Sequence, residues 1–365
     1  MSTTIDPDQH GIFLVTALAT PRQRRTALVI AAVTLAAFLV MVPFVRVPLA
    51  RMPAFIPSYE AALLLIDLVT AVLLFDQFLR LRAASVLVLA AGYLFDACII
   101  VPHALSFPGA FTPTGLLGAK EQTTAWLYVL WHGGFPLFVL AYAILRHGET
   151  SGRRRWVIER AGAAVGVAIA CIVAIAAALA LLATQRHDLL PIVMQGSDYS
   201  LLVRKGISPA VWALTLIAMA ALWQRKQRTL DLWLMLVMWI WLFDIALAAV
   251  IGSTRFDLGF YAGRIFGLIA ASFLLITLVV ELAQMYTGVL GAAVRAEKRL
   301  AELTAAQARV DVKPFCDERQ ESFIHRQNIA HYRTLLESDK LDAARRSSVE
   351  KLLSEEEEKY NRSLR

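Results

Sequence analysis

Apolar residues run in long uninterrupted blocks along the first 290 positions of this 365-residue chain. They neither alternate as in a strand nor keep to one helical face. A helix needs roughly 20 mainly apolar residues to cross about 30 Å of hydrocarbon. Eight blocks meet that requirement, at 26–45, 60–79, 84–102, 124–145, 161–183, 208–224, 230–251 and 261–287. Basic clusters such as Arg153-Arg154-Arg155 and turn-forming stretches such as Ser106-Phe107-Pro108-Gly109 separate them. The sixth block is the shortest, which leaves seven spans as the alternative. The predicted fold is an all-α membrane protein, a bundle of about eight transmembrane helices followed by a cytoplasmic tail with coiled-coil and helical-hairpin character. The domains read as a leader (1–25), a transmembrane body (26–290), a juxtamembrane helix (291–313) and a hairpin (314–365).

Composition sharpens this picture. The chain is 58% hydrophobic and 18% charged, a balance that excludes a soluble enzyme, a disordered chain and a nucleic-acid module. Residues 291–365 hold 29 of the 65 Asp, Glu, Lys and Arg residues and the first 290 hold the other 36, so charge is concentrated in the short tail. With the N-terminus inside, the inner segments before the tail carry 13 Lys and Arg against seven in the outer loops. The positive-inside rule then puts both termini in the cytoplasm of a bacterial inner membrane. The net charge of +7 is mainly this topology signal. Arg22, Arg24 and Arg25 before an apolar run imitate a signal peptide, but the run is too long and lacks a small-residue cleavage site. Ile12 to Leu18 reads as a surface-lying amphipathic stretch or a disordered leader. Cys98, Cys171 and Cys316 lie too far apart to suggest a disulfide framework or zinc site.

Ionisable groups deep in hydrocarbon are costly and mark functional sites by default. At about 1.5 Å of rise per residue, Asp67, Asp96, His132, Asp244 and Arg264 fall within the outer third of the bilayer, with His103 near the outer end of the third span. With Tyr93 and Tyr128 they predict an outward-facing polar pocket for a small polar ligand, a cation or protons. The competing reading is a structural network in which buried polar groups satisfy one another. His103 and His132 are also weak candidates for a metal, since imidazole suits one. Asp76 and Arg80 predict an interfacial i,i+4 ion pair, with Glu281 also towards the inner side. Trp233, Trp239 and Trp241 read as packing and interface anchors. No cofactor motif is recognisable.

Several short blocks, taken in order, resemble a known family. They are Pro57-Ser58-Tyr59, Asp67-Leu68-Val69-Thr70-Ala71, Leu73-Leu74-Phe75, Gln77-Phe78 and Leu89-Ala90-Ala91-Gly92-Tyr93-Leu94-Phe95. They continue through Phe107-Pro108-Gly109-Ala110-Phe111, Gly115-Leu116-Leu117-Gly118-Ala119, Ala125-Trp126-Leu127-Tyr128, Trp131-His132 and Gly134-Phe135-Pro136. The series covers roughly residues 50–145, with looser similarity to about residue 290, and is similar to the bacterial membrane-associated sensor domain MASE4. The resemblance implies an integral sensory module, normally fused to a histidine kinase or a diguanylate cyclase. Asp67, Tyr93, His132 and the Phe107-Pro108-Gly109 loop lie within the resembling blocks.

Beyond the last span, Val289, Ala293, Ala296, Leu300, Leu303, Gln307 and Val310 alternate steps of four and three, a coiled-coil pattern that predicts a homodimer. A solvated juxtamembrane helix is the alternative. Pro314 should end that helix, and 317–337 and 341–360 should form an antiparallel hairpin turning at Ser338 to Asp342. A kinase needs an ATP-binding domain and a cyclase its glycine-rich signature, and neither fits in this tail. His331-Tyr332-Arg333-Thr334-Leu335 only faintly echoes a phosphoacceptor box. The function expected is therefore not enzymatic: a sensor whose tail, 291–365, contacts a cytoplasmic kinase, cyclase or regulator. The partners implied are membrane lipid, a second copy, that protein and an unidentified small ligand, and not nucleic acid. An ion- or proton-coupled transporter is the second reading, but the halves lack paired Gly/Pro-broken helices and an internal repeat. An intramembrane enzyme comes third, since Ser85, Ser253 and Ser272 have no base the sequence can place.

Overall fold

The first helix opens on a reciprocal cap. The Thr20 hydroxyl accepts from the Gln23 amide, the Gln23 side chain accepts from the Thr20 amide, and Pro21 occupies the first helical position. This computed structural model describes residues 17–148, 160–223, 228–337 and 343–363. The apolar helices are α1 (Pro21–Met41), α2 (Phe55–Leu81), α3 (Ala84–Ser106), α4 (Thr123–Gly148), α5 (Ala161–Gln185), α6 (Ile207–Trp223) and α7 (Thr229–Ile245). A π-helical turn (Ala246–Ile251) extends α7 before α8 (Leu258–Leu336), and α9 (Ala343–Ser363) follows. Among the described residues, seven helices are long and apolar enough to cross a membrane. The eighth apolar helix, α6, has 17 residues. At about 1.5 Å per residue it spans roughly 25 Å, about a turn short of the usual thickness. It nonetheless packs between α4 and α7, and Trp212 Nε1 donates to the Leu242 carbonyl at 3.2 Å. The Ile12 to Thr16 part of the expected surface stretch lies outside the described residues.

The chain divides into two compact units, Met1–Met285 and Tyr286–Arg365. Within the first, α3 and α7 form the interior. Fifteen of the 17 residues of α7 are buried, as a helix apolar on every side requires. Close approach is set by small residues, the usual device where lipid offers no hydrophobic drive between helices. Phe95 of α3 packs over Gly134 of α4, and Phe138 of α4 over Gly92 of α3. A Cβ at Gly134 would collide with the Phe95 ring, and one at Gly92 would lie 2.7 Å from Phe138. On α8, Gly259, Gly263 and Gly267 recur every fourth residue and let α7 in.

The end of the bundle where α4 finishes and α7 begins is held by Asp231, a fully buried carboxylate absent from the sequence expectations. It accepts from the Tyr142 hydroxyl at 2.8 Å, ion-pairs with Arg146, and caps α7 by accepting from the Arg228 amide at 2.8 Å. Nearby on α2, Asp76 and Arg80 form the expected i,i+4 pair, with bonds of 2.8 and 3.1 Å. The amide of Gln77 donates to Glu281 at 2.8 Å.

In the second unit α8 passes through Pro314 and continues to Leu336, where the sequence predicts a break. Proline removes one backbone amide, so the Val310 carbonyl loses its helical partner. The i→i−4 ladder on either side resumes, and the helix accommodates the loss as a local interruption rather than an end. The segment after Pro314 pairs antiparallel with α9. Glu356 accepts from Asn328 at 2.8 Å, from His325 at 2.7 Å and from Lys359 at 3.3 Å. Arg326 donates to the Tyr360 hydroxyl at 2.9 Å, and Arg333 to Glu357 at 2.7 Å. The turn expected at Ser338 to Asp342 lies outside the described residues. Of the heptad positions, Ala293, Ala296, Leu300 and Leu303 are solvent-exposed.

Candidate functional site

Asp67, Tyr93, Asp96, His103, His132, Asp244 and Arg264 are all buried, and the Tyr128 hydroxyl is buried with them. They fall into three neighbouring groups. In the first, His132 of α4 meets Asp244 of α7 at 3.2 Å through Nε2, while its Nδ1 lies 3.0 Å from the Tyr128 carbonyl. That carbonyl can only accept, so Nδ1 donates, and the proton between Nε2 and the Asp244 carboxylate can belong to either partner. The Tyr128 ring stacks on the imidazole at 3.7 Å. Gly263 and Gly267 of α8 seat the Asp244 carboxylate: a Cβ at Gly267 would lie 2.8 Å from Asp244 Oδ2 and 2.9 Å from the Tyr59 hydroxyl.

In the second group, Asp67 of α2 and Asp96 of α3 are close enough to interact electrostatically, with Tyr93 near both. The third pairs His103 with Glu60, whose Nδ1 and Oε1 stand 2.7 Å apart. Glu60 marked the start of a span in the sequence, yet its side chain is 1% exposed. Trp131 joins the groups, its ring centroid 4.5 Å from that of His132 and 6.0 Å from that of His103. Each histidine thus faces a carboxylate, and among the described residues no three His, Cys, Asp or Glu side chains gather as metal ligands would.

A cavity of about 40 Å³ opens beside this network. Three residues named from the sequence line it, His103, Tyr128 and Arg264, together with Arg255, which sequence reasoning passed over as a loop cation. Asp67, Tyr93, Asp96, His132 and Asp244 are not among its walls. The cavity is cationic where a mixed lining with carboxylates was expected. Arg264 donates to the Phe260 carbonyl at 2.9 Å and lies 3.6 Å over the Phe260 ring. Arg255 bonds to the Thr124 hydroxyl and to Met194 Sδ, and lies 5.1 Å over the Phe107 ring. Burial and the neighbouring Arg264 charge lower the Arg255 guanidinium to about 10, so it stays cationic at neutral pH. Ala248 and Ala249 of the π-helical turn complete one wall. A second cavity of about 470 Å³ shares Phe107 and Arg255 with the first and adds Arg51, Pro108, Gly196 and Phe256. Of the Phe107-Pro108-Gly109 loop, Phe107 borders both cavities while Pro108 and Gly109 line only the larger one.

These features define a polytopic helical membrane protein with a charged cavity at one end of its bundle. The profile of the membrane-associated sensor, integral membrane domain, MASE4, matches residues 50–286, and the chain belongs to that family. No curated protein and no solved structure matches it.

Proposed function

We propose that this chain is a multi-pass receptor of a bacterial inner membrane, with both termini cytoplasmic, that binds a small cue in the cavity bounded by His103, Tyr128, Arg255 and Arg264. The observation that carries this reading is the position of α8. One helix of 79 residues begins beside the cavity, contributes Arg264 to it, receives Asp244 against its glycines and runs on to Leu336. A ligand shifts such a helix only by binding two of its arrangements with different affinity. Arg264 and the Asp244–His132 pair supply contacts that a shift of α8 would change. Asp67, Asp96 and Tyr93 act behind the cavity as positioning residues that couple α2 and α3 to Trp131. The exposed Leu300 and Leu303 form the seam of a homodimer, and the Tyr286–Arg365 unit docks a cytoplasmic kinase, cyclase or regulator.

Oxidative crosslinking of a Leu300→Cys variant tests this reading in membranes from cells grown under varied nutrients. Wild-type background should give a crosslinking yield that varies with growth condition. His132→Ala and Asp67→Asn should hold the yield constant while the protein remains folded and membrane-inserted. Normal variation in both variants contradicts the role given to this network.

A further inference from the structure

Two guanidinium groups wall the same small cavity, and neither forms an ion pair with a carboxylate among the described residues. Arg255 and Arg264 bond only to neutral partners, a hydroxyl, a thioether and a backbone carbonyl, and their remaining faces lie on aromatic rings. They are close enough for each charge to be felt by the other. Placing two like charges together in a low-dielectric site is unfavourable unless an anion joins them. The carboxylates that could have served are engaged elsewhere: Glu60 with His103, Asp244 with His132, and Glu121 with the Gly196 amide. Asp257 accepts from the amides of Ser253, Thr254 and Phe260. Tyr128 also lines the cavity, and its buried hydroxyl has no hydrogen-bond partner among the described residues. Glu121 exerts only the smallest of the pulls on Arg255, so two cations outside any direct ion pair among the described residues, and an unused donor, converge on one space.

We infer that this cavity binds the oxyanion head of a small organic anion, held by Arg255, Arg264 and the Tyr128 hydroxyl. This inference deepens the proposed receptor function by naming the chemistry of its cue. The size fits: about 40 Å³ admits a group of three or four heavy atoms, given 10–15 Å³ for a single water. A carboxylate is of that size, and the planar fork of arginine matches it with paired N–H···O bonds. The rest of the ligand extends past Phe107 into the cavity of about 470 Å³, where Arg51 adds a third positive charge at the approach. Aromatic walls at Phe107 and Phe256 suit a flat apolar body.

The test uses the full chain in zwitterionic-lipid nanodiscs, with benzoate, acetate and phosphate as probes and benzamide as the neutral counterpart of benzoate. Binding is read by calorimetry and by the thermal unfolding midpoint. Benzoate should bind saturably and raise the midpoint, and benzamide should bind at least tenfold more weakly. Arg255→Gln and Arg264→Gln should each weaken benzoate at least tenfold, and Arg255→Lys should restore part of the loss in a protein with a wild-type midpoint. Nanodiscs containing an anionic phospholipid form a separate arm. If only they raise the midpoint, and Arg264→Gln abolishes the effect, the oxyanion comes from a lipid headgroup rather than a free acid. Equal affinity for benzoate and benzamide, or unchanged benzoate affinity in the Arg255→Gln/Arg264→Gln double variant, overturns the inference. Either result leaves the receptor reading standing, since that reading fails separately if His132→Ala and Asp67→Asn both still respond to growth condition.

Discussion

His132 and Asp244, 112 residues apart in the chain, meet at 3.2 Å in the centre of the bundle and tie α4 to α7. The same carboxylate lies against Gly263 and Gly267, so a single side chain contacts the helix that runs on to Leu336. A change in the small cavity therefore has a short route into α8, through Arg264 on that helix and through Tyr128 stacked on His132.

Removing one partner of this pair should destabilise the protein beyond its effect on binding. A buried polar group left without its partner costs about 1–3 kcal/mol. Asp244→Ala and His132→Ala should each lower the unfolding midpoint in detergent, and the double variant should lose less than the sum of the two. Additive losses would show that the two side chains act independently.

Gly267→Ala places a methyl group 2.8 Å from Asp244 Oδ2 and 2.9 Å from the Tyr59 hydroxyl. Overpacking of this kind costs about 1–3 kcal/mol. Gly162→Ala and Gly166→Ala on α5 meet no atom within 4 Å of the added Cβ. Those two should be neutral or slightly stabilising, because alanine favours a helix by about 1 kcal/mol over glycine. Parallel thermal unfolding of the three variants checks the contrast.

Asp231 serves three donors at the opposite end of the bundle. Asp231→Ala should therefore cost more than Tyr142→Phe, which removes one hydrogen bond worth about 1 kcal/mol. Arg146→Ala combined with Asp231→Ala should restore part of the loss, since breaking a buried ion pair from one side costs more than replacing both partners. The unfolding midpoints of the single and double variants decide this.

The tail hairpin should open in acid. Hydrogen bonds from Asn328, then His325 and Lys359, hold the Glu356 carboxyl at about 2, below its ordinary value of 4.5. The folded-state value is depressed, so the stabilisation is fully present above about 4.5 and fades as the pH falls towards about 2. Spin labels at the exposed Ala330 and Ser354 should report one narrow distance at neutral pH and a broadened one across that window. Glu357 and Glu358 also form ion pairs, with Arg333 and Arg362. Glu356→Gln separates their share, and should already be loosened at neutral pH and change less with acid.

Hydropathy was enough to read the helices of the bundle and the burial of Asp67, Asp96, His132, Asp244 and Arg264, because both follow from length and polarity alone. Which of these residues meet was not legible. Pairing depends on the order and rotation of the helices, and α7 is apolar on every side, so its sequence has no face to orient. Glu60 opens one predicted span and Asp231 is the second residue of another, yet both fold inward, one to His103 and the other to Tyr142 and Arg146. Arg255 counted only towards loop charge, although the residues after the π-helical turn carry it into the cavity wall. The four-residue spacing of Gly259, Gly263 and Gly267 was the available signal for a close helix approach. Pro314 misled because proline weakens a helix without always ending it.

Photocrosslinking from the tail in native membranes tests the central claim most directly. A photoreactive residue replaces Leu300 or Leu352, in the wild-type background and in the Arg264→Gln background. The receptor account predicts a self-dimer from position 300, capture of a kinase, cyclase or regulator, and yields that change when Arg264 is altered. Self-crosslinks or lipid alone, with yields indifferent to Arg264, would contradict it.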